Sequence, residues 1–229
     1  MRISFITPFP EILEGALTAS ILGRAETNGI VEYNIINLRA FGEGPHKKVD
    51  DYPFSGGPGM VLTPGPIFSA FENSFGESPK GLKVILPSPS GRQFTQRMAK
   101  DFANENEIVF ICGHYKGVDE RVVDSLVTDE ISIGDYVLSG GEIPALAISD
   151  SIVRLLEGAL NDPESAETDS FTHPLLDEPH YTRPSIFRGM KVPKILLSGD
   201  HEKIRSWKAE QRLKRTAERR SDLLQDKLN

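Results

Sequence analysis

The amino-acid sequence predicts an α/β fold with a largely parallel sheet, and three observations point there. Short apolar runs alternate with helical patterns through residues 1–160, the signature of strand–helix–strand units. Three of those runs end in glycine-bearing loops, "PSPSGR" (87–92), "CGHYKG" (112–117) and "GDYVLSGGE" (134–142). In open α/β sheets ligands bind outside the carboxyl ends of strands, so three such loops at consecutive strand ends are expected to form one pocket.

The elements follow in order. "RISFIT" (2–7) reads as the first strand, and 10–24 as a helix with apolar residues three or four apart. "VEYNIINL" (31–38) is the next strand, and a helix is expected over 66–74. "LKVILP" (82–87), "EIVFIC" (107–112) and "EISIG" (130–134) complete the strands, interleaved with helices over 91–104, 118–127 and 142–157. The stretch 161–174 carries Asp162, Glu164, Glu167 and Asp169, two prolines and one large apolar residue. It cannot bury enough surface to order itself and reads as a flexible linker. Residues 175–229 read as mainly helical, with an Arg/Lys-rich face and Trp207. The expected division is therefore 1–160, a linker over 161–174, and a basic helical domain over 175–229.

Composition narrows the function classes. With 229 residues and 38% hydrophobic content the chain is of ordinary globular type, and no apolar stretch approaches the ~18 residues of a membrane span. Prolines and Glu11 interrupt any signal-peptide core, so a cytoplasmic location is expected. The single cysteine, Cys112, excludes an internal disulfide and a multi-cysteine metal site. The net charge of −7 conceals an asymmetry. Residues 183–229 hold 13 basic and 6 acidic side chains, while residues 1–182 hold 13 and 27. An acidic body with a basic tail is expected when one segment handles a polyanion; a solvated, salt-bridged helix gives the same count.

The candidate chemistry centres on "SIGDYVLSGGEIPALAISDSIVRLL" (132–156). It joins a strand to a helix through Ser139-Gly140-Gly141, yet contains neither G-x-G-x-x-G nor G-x-x-x-x-G-K-[ST]. The expected ligand is thus an adenosine-like group held by backbone atoms, and a plain tight turn is the structural alternative. Arg154 reads either as a surface partner of Asp150 or as a fixed cation facing developing negative charge. Asp169 reads as a solubilising linker acid or as a base. Cys112, ending an apolar strand, reads as a buried small hydrophobe. "PHYTRP" (179–184) sets an imidazole, a phenol and a guanidinium between two prolines, suited to base stacking or phosphate contact and equally to a packed turn. The histidines show no metal-ligand spacing.

Seven motifs together carry a resemblance: "GGPGM" (56–60), "SPSGR" (88–92), "ICGHYKGVDERV" (111–122), "SIGDYVLSGGEIPA" (132–145), "DSF" (169–171), "LLDEPHYTRP" (175–184) and "LLSGDHEKIRSWK" (196–208). In this order the chain resembles the bacterial tRNA (guanine-N1)-methyltransferases of the TrmD type, in the SPOUT superfamily. The resemblance implies a deep trefoil knot in the C-terminal half of the α/β domain, a homodimer with its active site at the subunit interface, and S-adenosylmethionine as methyl donor. Carried over by position, the donor pocket comprises Ser88, Pro89, Gly113, Tyr115, Gly117, Ile133, Gly134, Asp135, Tyr136, Val137, Leu138, Gly140, Gly141 and Pro144. The implied substrate is the guanosine at tRNA position 37, methylated on N1, with Asp169 as general base and Arg154 stabilising charge on O6. His180, Tyr181, Arg183, Lys208 and Arg215 are the implied tRNA contacts.

Several positions depart from the family pattern. His114 and Lys116 stand in "CGHYKG" where "CGRYEG" is usual, Pro87 and Ser90 replace leucine and glutamine, and Asp200 replaces histidine. Mg2+ is expected to assist, with Asp177 as a contributor and no ligands assigned, because Lys116 removes a carboxylate at the pocket edge. Two relatives of this reading stay open: a SPOUT methyltransferase acting on another RNA site, and an RNA-binding protein that has lost catalysis. A nucleotide-dependent oxidoreductase is disfavoured by the missing G-x-G-x-x-G.

Overall fold

The computed structural model describes residues 1–54, 56–160 and 169–225. It divides into two compact units, Met1–Asn161 and Asp162–Asn229.

The first unit is built on strands β1 (Arg2–Thr7), β2 (Glu32–Asn37), β5 (Lys83–Gln93), β6 (Glu107–Ile111) and β7 (Asp129–Ser132). They form one sheet in the order β2-β1-β6-β5-β7, and every adjacent pair is parallel. Helices α1 (Glu11–Leu17), α2 (Ser20–Thr27), α3 (Pro64–Phe75), α4 (Gln96–Phe102), α5 (Glu120–Leu126) and α6 (Glu142–Val153) cover it. A small antiparallel pair, β3 (Asp50–Asp51) with β4 (Val61–Leu62), precedes α3.

Strand alternation divides the core into two layers. Ile3, Phe5, Ile85, Ile108 and Phe110 face one side and pack with Leu13, Leu17, Leu22, Phe102, Ile148 and Ile152 from α1, α2, α4 and α6. Their neighbours Ile6, Val84, Leu86, Val109 and Ile111 face the other side and pack with Ile67, Phe71, Val122 and Leu126 from α3 and α5. Such strands are apolar on both faces, which is why they read as continuous apolar runs. The Phe5 and Phe110 rings stack at 5.4 Å in the centre.

Three boundaries differ from the sequence expectation. The helix expected over 10–24 is two helices, broken at Thr18–Ala19, with Ser20 at φ +51. Gly23 lets α2 pass the end of α1, because a Cβ there would stand 2.2 Å from the Thr18 carbonyl oxygen. The helix expected over 91–104 begins only at Gln96, since β5 continues to Gln93. The last helix stops at Val153 with Arg154 as its C-cap, short of the expected 157.

The second unit contains a short hairpin, β8 (Ile186–Phe187) with β9 (Met190–Lys191), and helices α7 (His201–Arg219) and α8 (Asp222–Gln225). Arg188 and Gly189 both take positive φ, as a two-residue hairpin turn of the primed type requires. Helix α7 starts at Asp200, whose carboxylate accepts from Lys203 N–H at 3.2 Å. No described helix is long and apolar enough to cross a membrane.

Candidate active site

Strands β6, β5 and β7 are neighbours in the sheet, so the three glycine loops leave it side by side at the carboxyl end. The first is a bulge. Pro87 and Arg92 of β5 both pair with Ile131, so residues 88–91 are thrown out of the ladder. Gly91 is required at this crossing, for a Cβ there would stand 2.4 Å from the Glu130 carbonyl carbon. Ser88 and Ser90 hydroxyls meet at 2.7 Å, and Ser90 Oγ donates to Glu130 Oε2 at 3.1 Å.

The second and third loops are tied to each other. Gly141 N–H donates to Gly113 O at 2.8 Å, and His114 bridges to Gly140. A Cβ on Gly141 would come within 2.9 Å of Cys112 Cα, so two backbones pass in contact here. Tyr136 folds back across Gly134, its hydroxyl donating to Ile133 O at 3.2 Å.

The three loops enclose a cavity of about 430 Å³, within the range of small-ligand sites. Ser88, Pro89, Gly113, Tyr115, Gly117, Ile133, Gly134, Tyr136, Val137, Leu138, Gly140, Gly141 and Pro144 all line it. Asp135 does not: it is exposed and lies outside the lining. His114, Lys116, Ser139 and Glu130 line it as well.

Glu142, the first residue of α6, was not singled out in the sequence. It is 1% exposed, accepts from Thr7 Oγ1 at 2.5 Å, and its other oxygen lies 2.7 Å from His114 Nε2. An acid opening a helix is an ordinary dipole-complementing choice, so nothing in its position marks it as buried. Cys112 is 1% exposed, and burial, then the Glu142 charge, pushes its thiol well above the ordinary range. It behaves as a small hydrophobe.

Arg154 and Asp169 fall in different units. Arg154 is half-buried, its N–H donating to Asp150 O at 3.2 Å. Asp169 is half-buried in the second unit, its carbonyl accepting from Thr172 N–H at 3.3 Å. Residues 161–168 of the expected linker lie outside the described residues, whereas 169–174 are held within the second unit. There Ser170 Oγ accepts from Asp177 N–H at 2.9 Å, and Phe171 N–H donates to Leu175 O.

The "LLDEPHYTRP" segment is clamped to α7. Glu178, 3% exposed, meets Lys208 Nζ at 2.7 Å and Arg212 Nε at 2.5 Å. Burial alone would raise its carboxyl, but the bonds from the Lys208 and Arg212 cations outweigh it and bring it to about 2. Leu176 N–H donates to Thr216 Oγ1 at 2.9 Å. Lys208 is therefore an internal ion-pair partner as well as a half-exposed cation, while His180, Tyr181 and Arg183 are exposed and Arg215 is partly so.

Comparison with known proteins decides the family. The family model described as tRNA (Guanine-1)-methyltransferase TrmD matches residues 1–226. The chain belongs to this family. A tRNA (guanine-N(1)-)-methyltransferase of Halalkalibacterium halodurans is 52% identical over 98% of this chain and 92% of its own length. Enzymes of the same name from Moorella thermoacetica and Bacillus subtilis are 53% and 50% identical, over 98% and 99% of this chain and 90% and 93% of theirs.

Membership in a methyltransferase family implies S-adenosylmethionine as the methyl donor, and the TrmD-family cavity suits it. Its lining combines five glycines with Tyr115, Tyr136, Ile133 and Leu138. The expectation for Mg2+ fares otherwise. Among the described residues no group of three or more His, Cys, Asp or Glu is placed to hold a metal. Asp177 is already engaged by Arg212 Nη2 and by His180 Nε2, each at 2.8 Å. Its carboxylate faces cationic and imidazole groups, a poor setting for a divalent ion.

Proposed function

We propose that this chain transfers the methyl group of S-adenosylmethionine to N1 of the guanosine at tRNA position 37, immediately 3′ of the anticodon. The observation that carries the reading is the cavity formed by three glycine loops at the ends of adjacent parallel strands, in a chain of the TrmD family. Ser88 and Pro89 from the β5 bulge, Gly113 to Gly117, Ile133 and Gly134, and Tyr136 to Gly141 with Pro144 would hold the donor's adenosine and methionyl parts. The donor supplies an electrophilic methyl on a sulfonium.

Guanine N1 carries a proton at neutral pH, so a base must take it as the nitrogen attacks. Asp169 is assigned that role. The N1–C bond forms as the C–S bond breaks, the sulfur leaves as a neutral thioether, and the proton passes to the carboxylate. Charge moving onto O6 is met by the Arg154 guanidinium. Binding of the tRNA would bring the target guanine to Asp169, coupling substrate recognition to the proton transfer.

We further infer the trefoil knot of the SPOUT superfamily, a basic helical domain for the anticodon stem, a homodimer that shares each site between subunits, and a cytoplasmic setting. His180, Tyr181, Arg183 and Arg215 are the proposed tRNA contacts, with Lys208 contributing its exposed side. The test is methyl transfer from labelled donor to unmodified transcripts bearing guanosine or adenosine at position 37, with nucleoside analysis. 1-Methylguanosine on the guanosine transcript alone supports the reading; donor and tRNA binding without transfer to either overturns it.

A further inference from the structure

The segment "GGPGM" (56–60) has no role so far. It ends beside the loop that follows β6: Lys116 N–H donates to Met60 O at 3.0 Å, and Leu62 N–H donates to Gly117 O at 3.0 Å. Gly59 takes φ +99, and a Cβ there would stand 2.9 Å from Lys116 Cγ and 3.2 Å from Lys116 Cε. The lysine stem therefore runs along the bare face of Gly59. The Lys116 side chain is exposed and lines the cavity. Among the described residues its ammonium forms no ion pair.

We propose that Lys116 binds the carboxylate of the donor's methionyl group, with Gly59 positioning the lysine stem. The inference rests on reading the cavity as the S-adenosylmethionine site. That donor carries a sulfonium and an ammonium, which a lysine repels, and one carboxylate, which it attracts. A carboxylate drawn out of water needs a charged or hydrogen-bonding partner. A free lysine loses considerable rotamer freedom on pairing. The contact with Gly59 has already restricted that freedom, because the stem fits only where no Cβ stands. On this reading the glycine of "GGPGM" and the lysine of "CGHYKG" form one device: one makes the channel and the other fills it.

The experiment is calorimetric titration of the intact protein with S-adenosylmethionine and with decarboxylated S-adenosylmethionine, which keeps the adenosine, sulfonium and amine. Lys116→Gln is expected to weaken S-adenosylmethionine binding about tenfold, as loss of a charge-assisted bond does. The decarboxylated donor should bind the variant as well as, or better than, the parent. Lys116→Arg should retain most of the affinity, and Gly59→Ala should lose affinity for the carboxylated donor selectively. Equal binding of S-adenosylmethionine by parent and Lys116→Gln overturns the proposal, as does an equal loss for both donors. If the parent protein binds neither donor, the assignment of the cavity itself fails, and this inference with it.

Discussion

His114 and Glu142 join the second and third cavity loops from beneath, Nε2 standing 2.7 Å from the Glu142 carboxylate, with the side chains 11% and 1% exposed. The same carboxylate is bonded by Thr7 at the end of β1, so one buried acid links β1, the loop after β6 and the start of α6. Gly140 is bound into this arrangement, since a Cβ there would stand 2.1 Å from His114 Nε2. The pair is a structural foundation of the cavity loops.

Replacing Glu142 by alanine removes the acceptor of both Thr7 and His114 in a buried setting. The expected loss is about 3 kcal/mol of stability, measured by the midpoint of urea denaturation, with Glu142→Gln retaining part of it. An alanine variant as stable as the parent contradicts this role.

Two glycines of the cavity should respond differently. Gly141→Ala forces a Cβ to 2.9 Å from backbone, and about 1–3 kcal/mol of stability should be lost. At Gly113 the nearest atom to an added Cβ is 3.6 Å away, and no positive φ is involved. Gly113→Ala should therefore fold with near-parental stability, and any loss in donor titration reports contact with the ligand.

Acid should loosen the second unit. The Glu178 carboxyl is lowered from 4.5 to about 2, so its ion pairs contribute fully above pH 4.5 and are lost as pH falls toward 2. The contribution is about 3 kcal/mol. Trp207, the sole tryptophan, sits on α7 beside Lys208 and offers a fluorescence readout. Glu178→Gln should flatten the acid transition in that window; an unchanged transition would contradict the clamp.

The two cations of α7 should also separate. Arg215→Ala should lower tRNA affinity and reduce the slope of log K against log salt by about one unit. Lys208→Ala removes a partner of buried Glu178, so it should lower the unfolding midpoint as well. Equal effects of the two variants on stability would count against the assignment.

Much of this was legible in the sequence because the central strands β1, β5 and β6 are apolar on both faces. The three loops were legible as glycine-bearing strand ends, and their meeting follows from β6, β5 and β7 being neighbours. Other features depend on contacts between distant segments. The break at Thr18–Ala19 carries no proline, and it is marked by Gly23 only once α2 is packed. The 88–91 bulge reads as a loop because "SPSGR" has loop composition, yet β7 recaptures the strand beyond it. The turn at Arg188–Gly189 was missed because a single Arg-Gly pair is a weak hairpin signal. Glu142 and Glu178 look like ordinary surface acids until Thr7, His114, Lys208 and Arg212 are brought to them.

Asp169→Asn should keep donor affinity while losing about 10²–10⁴-fold in methyl transfer, the usual weight of a general base. A variant with full activity would remove Asp169 from the chemistry and leave the proton without an assigned acceptor.

Whether the three-loop cavity is the methyl-donor site can be read from a crystal structure of the protein with S-adenosylhomocysteine. Density for the ligand is expected against Ser88–Pro89, Gly113–Gly117, Gly134 and Tyr136–Leu138. Ligand bound at the opposite end of the sheet, in the groove lined by Met1, Arg2, Glu32 and Glu107, with this cavity left as it is, would contradict it.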